Sequence, residues 1–477
     1  MGVPLDTWWS TNLVACCLLV RGTLSAQEIS TCRARLEQEV QGLSTLLLLG
    51  EQVAKAFFPA AKTLGSIQGR WAFHAPTQTW CLPTVHPGAV FRNPDTIRDL
   101  IEDMKLFLRG VPQDLLHPPE VEYTLCSTVG DLVLLRDSLG VLSPEFLALD
   151  IETTSLNPRE GEILCIGLGA GEKNNWVVLP SALKDPSAVR LFDQILKRHP
   201  IVTQNGYQFD WAWIRHHYGL DQWRITFDTL LAHYALDERQ QGHGLKRLAS
   251  RYLGAPDYAL DTRDLTQYTP SAVYSYLALD CYYTWSLASL LKRELQEVEG
   301  LTRLHDQYLL AGARTLALIE GTGVLVDQDY LATLQEKLDR EYQKLYLQIQ
   351  AIAQSCGMEK MNPNSPKQVA SLLYDHLKVE DLSTKNIAIV GRGRKGWGVK
   401  PRSTEKEVLE KISHPVAQLI LDARQVARFR STYVQGLTQC IEADGRVRSD
   451  YLLFGTVTGR ISSRNPNLQK IGRASCR

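Results

Sequence analysis

An excess of charge of either sign is missing from this sequence: Lys and Arg number 52, and Asp and Glu number 52. A global basic field that would gather polyanions is therefore excluded, although a local basic groove on a neutral protein is not. Long hydrophobic runs are also missing. The longest near the start, Leu13 to Val20, is too short to span a bilayer and has no basic residues ahead of it to open a secretory signal. No membrane partner is expected, and the chain is expected in the cytoplasm. Cysteine is thin, ten residues in 477, which is no disulfide framework and points to a reducing compartment with most thiols in cores. Gly and Pro, 33 and 21 residues, stay near ordinary usage, so collagen-like and low-complexity classes fall away. What remains is an ordinary globular composition with length for about three domains.

The stretch that organises the chain is Phe146 to Leu156, FLALDIETTSL. An apolar start suits a buried strand, and the two-residue period of a strand turns Asp150 and Glu152 to one face. Two anions side by side repel and lose hydration, so such a pair is usually kept where a hard cation such as Mg²⁺ neutralises it. Alone the motif is weak, since Asp-x-Glu arises by chance roughly once or twice in a chain this long. More carboxylates are needed downstream.

They follow in order. After apolar runs at 162–168 and 175–179, read as a meander, and a helix at 188–198, residues 201–210 run a strand into a turn and set Asp210 at the entrance of a helix over 211–217. An Asp there is more often a helix cap than a catalytic group. A fourth carboxylate, Asp280, sits in an otherwise apolar helix over 273–292, one turn after Tyr276 and on the same face. A carboxylate in such surroundings lacks an obvious partner without a cation.

The order DxE, NxxxFD, YxxxD, with its strand and helix contexts, resembles the DEDDy-type 3′-5′ proofreading exonuclease of family A DNA polymerases, over about 121–296. The resemblance implies an α/β, RNase H-like fold with a mixed central sheet. It implies two divalent ions, Mg²⁺ or Mn²⁺, and in-line hydrolysis of a 3′-terminal phosphodiester to a 5′-mononucleotide. Asp150, Glu152 and Asp280 would hold the first ion, Asp150 would bridge to the second, Asp210 would reach the second, and Tyr276 would orient the attacking water. Frayed or single-stranded DNA would be gripped by Leu156, Tyr207 and Phe209 against bases and by Thr154 and Asn205 at the terminal sugar or phosphate. Lys246 and Arg247, in a helical stretch over 243–253, would touch the backbone or form a solvated face.

Upstream, residues 1–110 read as α/β: a strand over 44–50, a short helix over 51–58, a strand over 79–85, a turn at His86-Pro87-Gly88 and an amphipathic helix over 93–109. Through Thr11 to Cys16, Glu28 to Cys32, Leu48 to Gly50 and the HPG loop with Arg92-Asn93-Pro94, this segment resembles part of the iron–sulfur uracil-DNA glycosylases. That implies a base-polarising role for His86 and cluster ligation by Cys16 and Cys32. The other two ligands and the water-positioning loop would lie before Met1, so a 4Fe-4S cluster is not expected, and Cys16, Cys17 and Cys32 are read as thiols. A Pro-rich stretch, 111–120, is read as an extended linker.

From Leu301 the pattern is long and helical, around a loop Asn362-Pro363-Asn364-Ser365-Pro366-Lys367-Gln368. It resembles the thumb of the same polymerases, which makes Ser365 and Lys367 phosphate contacts. Residues 456–471, TVTGRISSRNPNLQKI, match the signature that precedes the family's palm and make Arg460, Asn465, Asn467 and Gln469 DNA contacts. The family's palm carboxylates would follow Ile471, so nucleotide addition is expected only with a separate palm-and-fingers chain. A non-catalytic DNA-binding fragment is the third reading. Such a fusion is the kind of gene a bacterial virus carries.

Overall fold

The computed structural model describes residues 10–13, 26–116, 119–239, 242–381 and 402–469. They form two compact units, Met1–Ala317 with Thr456–Gly459, and Leu318–Gly455 with Arg460–Arg477.

In the first unit the N-terminal part has a three-stranded sheet. Strand β1 (Thr45–Leu49) pairs parallel with β3 (Thr79–Thr84), and β2 (Ala72–His74) pairs antiparallel with β3 on its other side. The helix Thr96–Arg109 lies against β3 and buries Leu106 beside Trp71 and Leu82. The Pro-rich stretch is not simply extended. Gln113–Leu116 form a helical turn, and Val111 and Leu115 join the apolar cluster around Trp71; two apolar side chains among the prolines make folding down cheaper than staying in water.

The larger sheet has six strands in the order β4-β7-β6-β5-β8-β9: β4 (Thr124–Cys126), β5 (Leu147–Thr153), β6 (Ile163–Gly169), β7 (Asn175–Val178), β8 (Ile201–Thr203) and β9 (Ile225–Asp228). β6 runs antiparallel to both β5 and β7, while β4–β7, β5–β8 and β8–β9 are parallel. The meander and the strand at 201 are as expected. Sequence reading missed β4, β9 and the helices Val129–Leu142 and Thr229–Leu236. Both helices carry legible caps: Thr128 and Asp131 form a capping box, and Asp228 accepts from the amides of Leu230 and Leu231 at 3.1 Å each.

The helix Pro270–Gln296 crosses one face of β5 and β6. Two glycines let it approach closely. A Cβ at Gly167 would lie 2.5 Å from Cys281 Sγ and 2.8 Å from Leu277 Cγ, and one at Gly169 would lie 2.9 Å from Cys281 Cβ. Gly167 is the register partner of Asp150, and Cys165 that of Glu152. The helix is thereby seated on the face that carries both strand carboxylates. The chain from Leu301 to Ala317 stays with this unit, and buried His305 packs its ring 4.4 Å from that of Phe227.

The second unit is mostly helical. Helices Gln328–Ser355 and Pro415–Phe429 pack together over a core of Ile349, Met361, Val369, Leu372, Val416 and Ile420. Buried Gln350 accepts from the amide of Met361 at 3.0 Å and also donates to its carbonyl, which fixes the loop after the first helix. Among the described residues, no helix is long and apolar enough to cross a membrane.

Candidate active site

β5 is an interior strand, and its alternation sends Leu147, Leu149 and Ile151 to one side while Asp150 and Glu152 share the other. The helix Pro270–Gln296 brings Asp280 across to them. Ligand oxygens of Asp150, Glu152 and Asp280 all lie within 4.8 Å of one another, with Glu152 and Asp280 buried and Asp150 half-buried. Tyr276, one turn before Asp280, is 7% exposed, and its phenol is near enough to Asp280 for each to shift the other's titration.

Asp210 comes from the loop after β8. The buried carboxylate of Asp228 organises this loop, accepting from the amide of Gly206 at 2.8 Å and from the Thr203 hydroxyl at 3.0 Å. Asn205 takes a left-handed φ of 62° at the turn. Asp210 is not a helix cap. It is the first residue of the helix Asp210–Tyr218, with Phe209 at the cap position. It is 1% exposed, its carboxyl feels the charge of Asp150, and its Oδ1 is buried with no protein partner, although its oxygens are not in the group from Asp150, Glu152 and Asp280 that lies within 4.8 Å. A buried carboxylate oxygen left without a donor is costly, and a cation is the partner that removes that cost.

The electrostatics fit this picture. Burial first, and then the like charge of Asp280, push the Asp150 carboxyl up to about 8, with Lys246 opposing. Burial and then Asp150 and Asp280 push Glu152 up to about 9. Burial, followed by the charge of Asp150, raises Asp210 well above the usual carboxylate range. Asp280 is raised by burial and held down by Lys246, Tyr258 and Tyr276. The Tyr276 phenol is pushed well above its ordinary range, chiefly by burial and then by Asp280, so it is a neutral hydroxyl at any physiological pH. An all-oxygen donor set crowded enough to hold protons fits hard divalent cations such as Mg²⁺ or Mn²⁺.

Sequence reading missed Tyr258, whose hydroxyl donates to Asp280 Oδ1 at 2.7 Å. It stands 22 residues from its partner, and no local spacing links them. The reading of Lys246 needs correction: its ammonium contacts Asp280 directly, over the rings of Tyr258 and Tyr276, and so is neither on a solvated face nor free for a DNA backbone. Tyr207 is also unavailable for stacking. It is 4% exposed, and its hydroxyl accepts from the Ile225 amide at 3.3 Å.

Thr154 and Leu156 are exposed just beyond β5, Leu156 at 88%. The Thr154 hydroxyl accepts from the Glu162 amide at 2.9 Å. Phe209 and Arg247 are half-buried. His86 is exposed, and its Nδ1 accepts from the Gly88 amide at 3.0 Å, closing its own turn. Cys32 is half-buried on the helix Ala26–Val40, while Cys16 and Cys17 lie outside the described residues.

In the second unit Ser365 accepts from the Gln368 amide at 3.4 Å as a helix cap, and Lys367 is exposed. Asn465 donates to Asp450 at 3.0 Å, Asn467 accepts from the Ser463 hydroxyl at 3.2 Å, and Gln469 donates to the Ile461 carbonyl at 3.0 Å. These three brace one loop, beside an exposed Arg460.

Residues 131–296 match the model of the 3′-5′ exonuclease family, and residues 328–476 match that of DNA polymerase family A. By family, the first stretch is a 3′-5′ exonuclease domain and the second belongs to DNA polymerase family A. The exonuclease stretch contains all four carboxylates, Tyr276 and Tyr258. Among curated relatives, a DNA polymerase I of Synechocystis sp. is 31% identical over 379 residues, covering 74% of this chain and 36% of the relative. The DNA polymerase of Escherichia phage T5 is 30% identical over 362 residues, 69% of this chain and 40% of the relative. The chain thus spans little more than a third of the length of these relatives. The POL domain of Pol1 from M. smegmatis, solved in complex with DNA primer-template and dNTP, shares the fold with a TM-score of 0.57 at 24% identity, over 73% of this chain and 56% of that one.

Proposed function

We propose that the first unit is a metal-dependent 3′-5′ exonuclease of the proofreading type, hydrolysing the terminal phosphodiester of a frayed or single DNA strand to a 5′-mononucleotide. The observation that carries this is the convergence of Asp150, Glu152 and Asp280, with Asp210 beside Asp150 and a neutral tyrosine hydroxyl at the edge. An RNase H-like reading of the sheet is supported by the order β7-β6-β5-β8-β9, in which only β6 runs against the rest.

Asp150, Glu152, Asp280 and Asp210 would hold the cations. Bound divalent ions would supply the positive charge that stabilises the anionic phosphate as it is attacked. Tyr276 positions the attacking water through its hydroxyl; a phenol held so firmly protonated is an orienting group and no base. The sheet face and the helix Pro270–Gln296 shut bulk water away from the buried carboxylates, which strengthens every charge interaction there. Leu156 and Phe209 would meet the terminal bases, and Thr154 and Asn205 the sugar or phosphate.

The deciding experiment is shortening of a 5′-labelled single strand with Mg²⁺ and with chelator, for the full chain beside Asp150→Ala/Glu152→Ala. A Mg²⁺-dependent ladder lost in the variant is expected; a ladder that survives both substitutions would remove the proposal. A second reading is favoured by the family A match at residues 328–476. In it the helical unit serves nucleotide addition on DNA, with Ser365, Lys367, Arg460, Asn465, Asn467 and Gln469 near the duplex. Incorporation of dNTP on supplying a palm-and-fingers chain tests it.

A further inference from the structure

The carboxylate cluster has a resident counter-ion. The Lys246 ammonium contacts Asp280 Oδ1 and stands 4.1 Å from the ring centroids of both Tyr258 and Tyr276. It is thus held by an anion and two aromatic faces. Tyr258 completes the set by donating to the same Asp280 oxygen at 2.7 Å. The oxygen that would serve a cation is therefore already engaged by two donors from one segment, and a divalent ion that takes Asp280 must compete with both.

The segment is firmly placed. Lys246 lies on the turn Leu245–Leu248, which runs on into Ala249–Leu253. Arg251, at its far end, lies 3.5 Å from Asp103 on the N-terminal helix Thr96–Arg109. Asp103 is fully buried and also accepts from Thr84 at 2.7 Å and Gln68 at 3.2 Å. One turn earlier on that helix, Asp99 meets Arg239, which is itself held by Asp237. At the near end, the His243 carbonyl accepts from Gln204 Nε2 at 2.6 Å. A long, flexible side chain would gain little from one surface ion pair. Anchored at both ends of its segment, this one is presented to a single carboxylate.

We infer that Lys246 is an internal competitor of the divalent cation. It neutralises Asp280 before an ion is bound, sets a threshold on the ion concentration the site responds to, and is displaced when the ion takes that oxygen. The N-terminal α/β part supplies the fixed anchor for this device through Asp103 and Asp99. The inference rests on the nuclease reading for the identity of the ligand, and it requires only that the carboxylates bind a divalent ion.

The test is Mn²⁺ binding to the full chain, followed by electron paramagnetic resonance of free Mn²⁺ and free of any assay of DNA. Removing a cation next to an Asp280 ligand oxygen should tighten Mn²⁺ binding by about tenfold in Lys246→Met, the effect of roughly one pKa unit of electrostatic preference. Lys246→Gln, which keeps a polar donor, covers the case that the apolar variant does not fold and should shift in the same direction. Lys246→Arg should stay near wild type. Equal or weaker Mn²⁺ binding in the folded Met or Gln variant would overturn the inference. Shortening of labelled DNA is followed separately. A wild-type chain that binds Mn²⁺, shows the Lys246 effect and leaves DNA intact would remove the nuclease reading and keep the counter-ion.

Discussion

Asp150 is where the competing demands on single residues meet. Its position on an interior strand makes it structurally rigid and electrostatically unfavourable at once. Burial and Asp280 push its carboxyl up to about 8, and Glu152 beside it reaches about 9. Since both values lie above those of an unfolded chain, the folded protein binds more protons than the unfolded one between the ordinary carboxylate range and about pH 9. In chelator, stability should therefore be greatest on the acidic side of this window and fall as pH rises through it. Divalent ions bind the ionised form, so their stabilising effect should grow with pH over the same span. Thermal melts at pH 6 and pH 8.5, each with Mn²⁺ and with chelator, check both signs; a Mn²⁺ shift larger at pH 6 would contradict them. Asp150→Asn keeps the shape and removes the charge. It should flatten the pH dependence in chelator, abolish the Mn²⁺ shift and lower the rate of DNA shortening by roughly two to three orders of magnitude.

Among the elements, the long helix Pro270–Gln296 sets the geometry of the site because of what it lands on. Gly167 and Gly169 leave no Cβ beneath Leu277 and Cys281, so Asp280 comes down to ligand distance of Asp150. Gly167→Ala should cost about 1–3 kcal/mol through overpacking and should also weaken Mn²⁺ binding, because the helix must lift. A variant less stable by this amount with unchanged Mn²⁺ affinity would show that the helix adjusts without moving Asp280.

The same element shows what a sequence discloses. Helical spacing placed Tyr276 and Asp280 on one face, and strand alternation did the same for Asp150 and Glu152, because both periodicities are local. The two glycines, Tyr258 and the inward turn of Lys246 depend on which surfaces meet in three dimensions, and no short-range pattern encodes that. Asp228 lies between these cases. A helix cap followed by the apolar run TLLAHYAL is a local signal that the sequence reading passed over, whereas its grip on the amide of Gly206, which shapes the approach to Asp210, has no local signal at all.

On the scale of the whole chain, the N-terminal α/β part and the exonuclease sheet belong to one unit. Charged groups on the helix Thr96–Arg109 meet partners in 237–251, and the strongest commitment is Asp103, fully buried against Arg251, Thr84 and Gln68. Asp103→Ala would leave Arg251 without its anion and two further donors without an acceptor. Such truncations cost about 3–5 kcal/mol. The loss should appear as a lowered melting temperature of the full chain, and a shift of less than a degree would mean that the contact contributes nothing net.

Cation binding gives the sharpest whole-molecule prediction, because the four carboxylates lie in the first unit alone. A ligand stabilises only the cooperative structure it binds. Mn²⁺ at pH 8.5 should therefore slow amide hydrogen exchange in β5, in β6 and along the helix Pro270–Gln296. It should leave the helices Gln328–Ser355 and Pro415–Phe429 unchanged. Asp150→Asn should remove the first effect. Slowing in Gln328–Ser355 of equal size would show that the carboxylate site and the helical unit unfold as one cooperative body, and the account of the site as a device internal to the first unit would then fail.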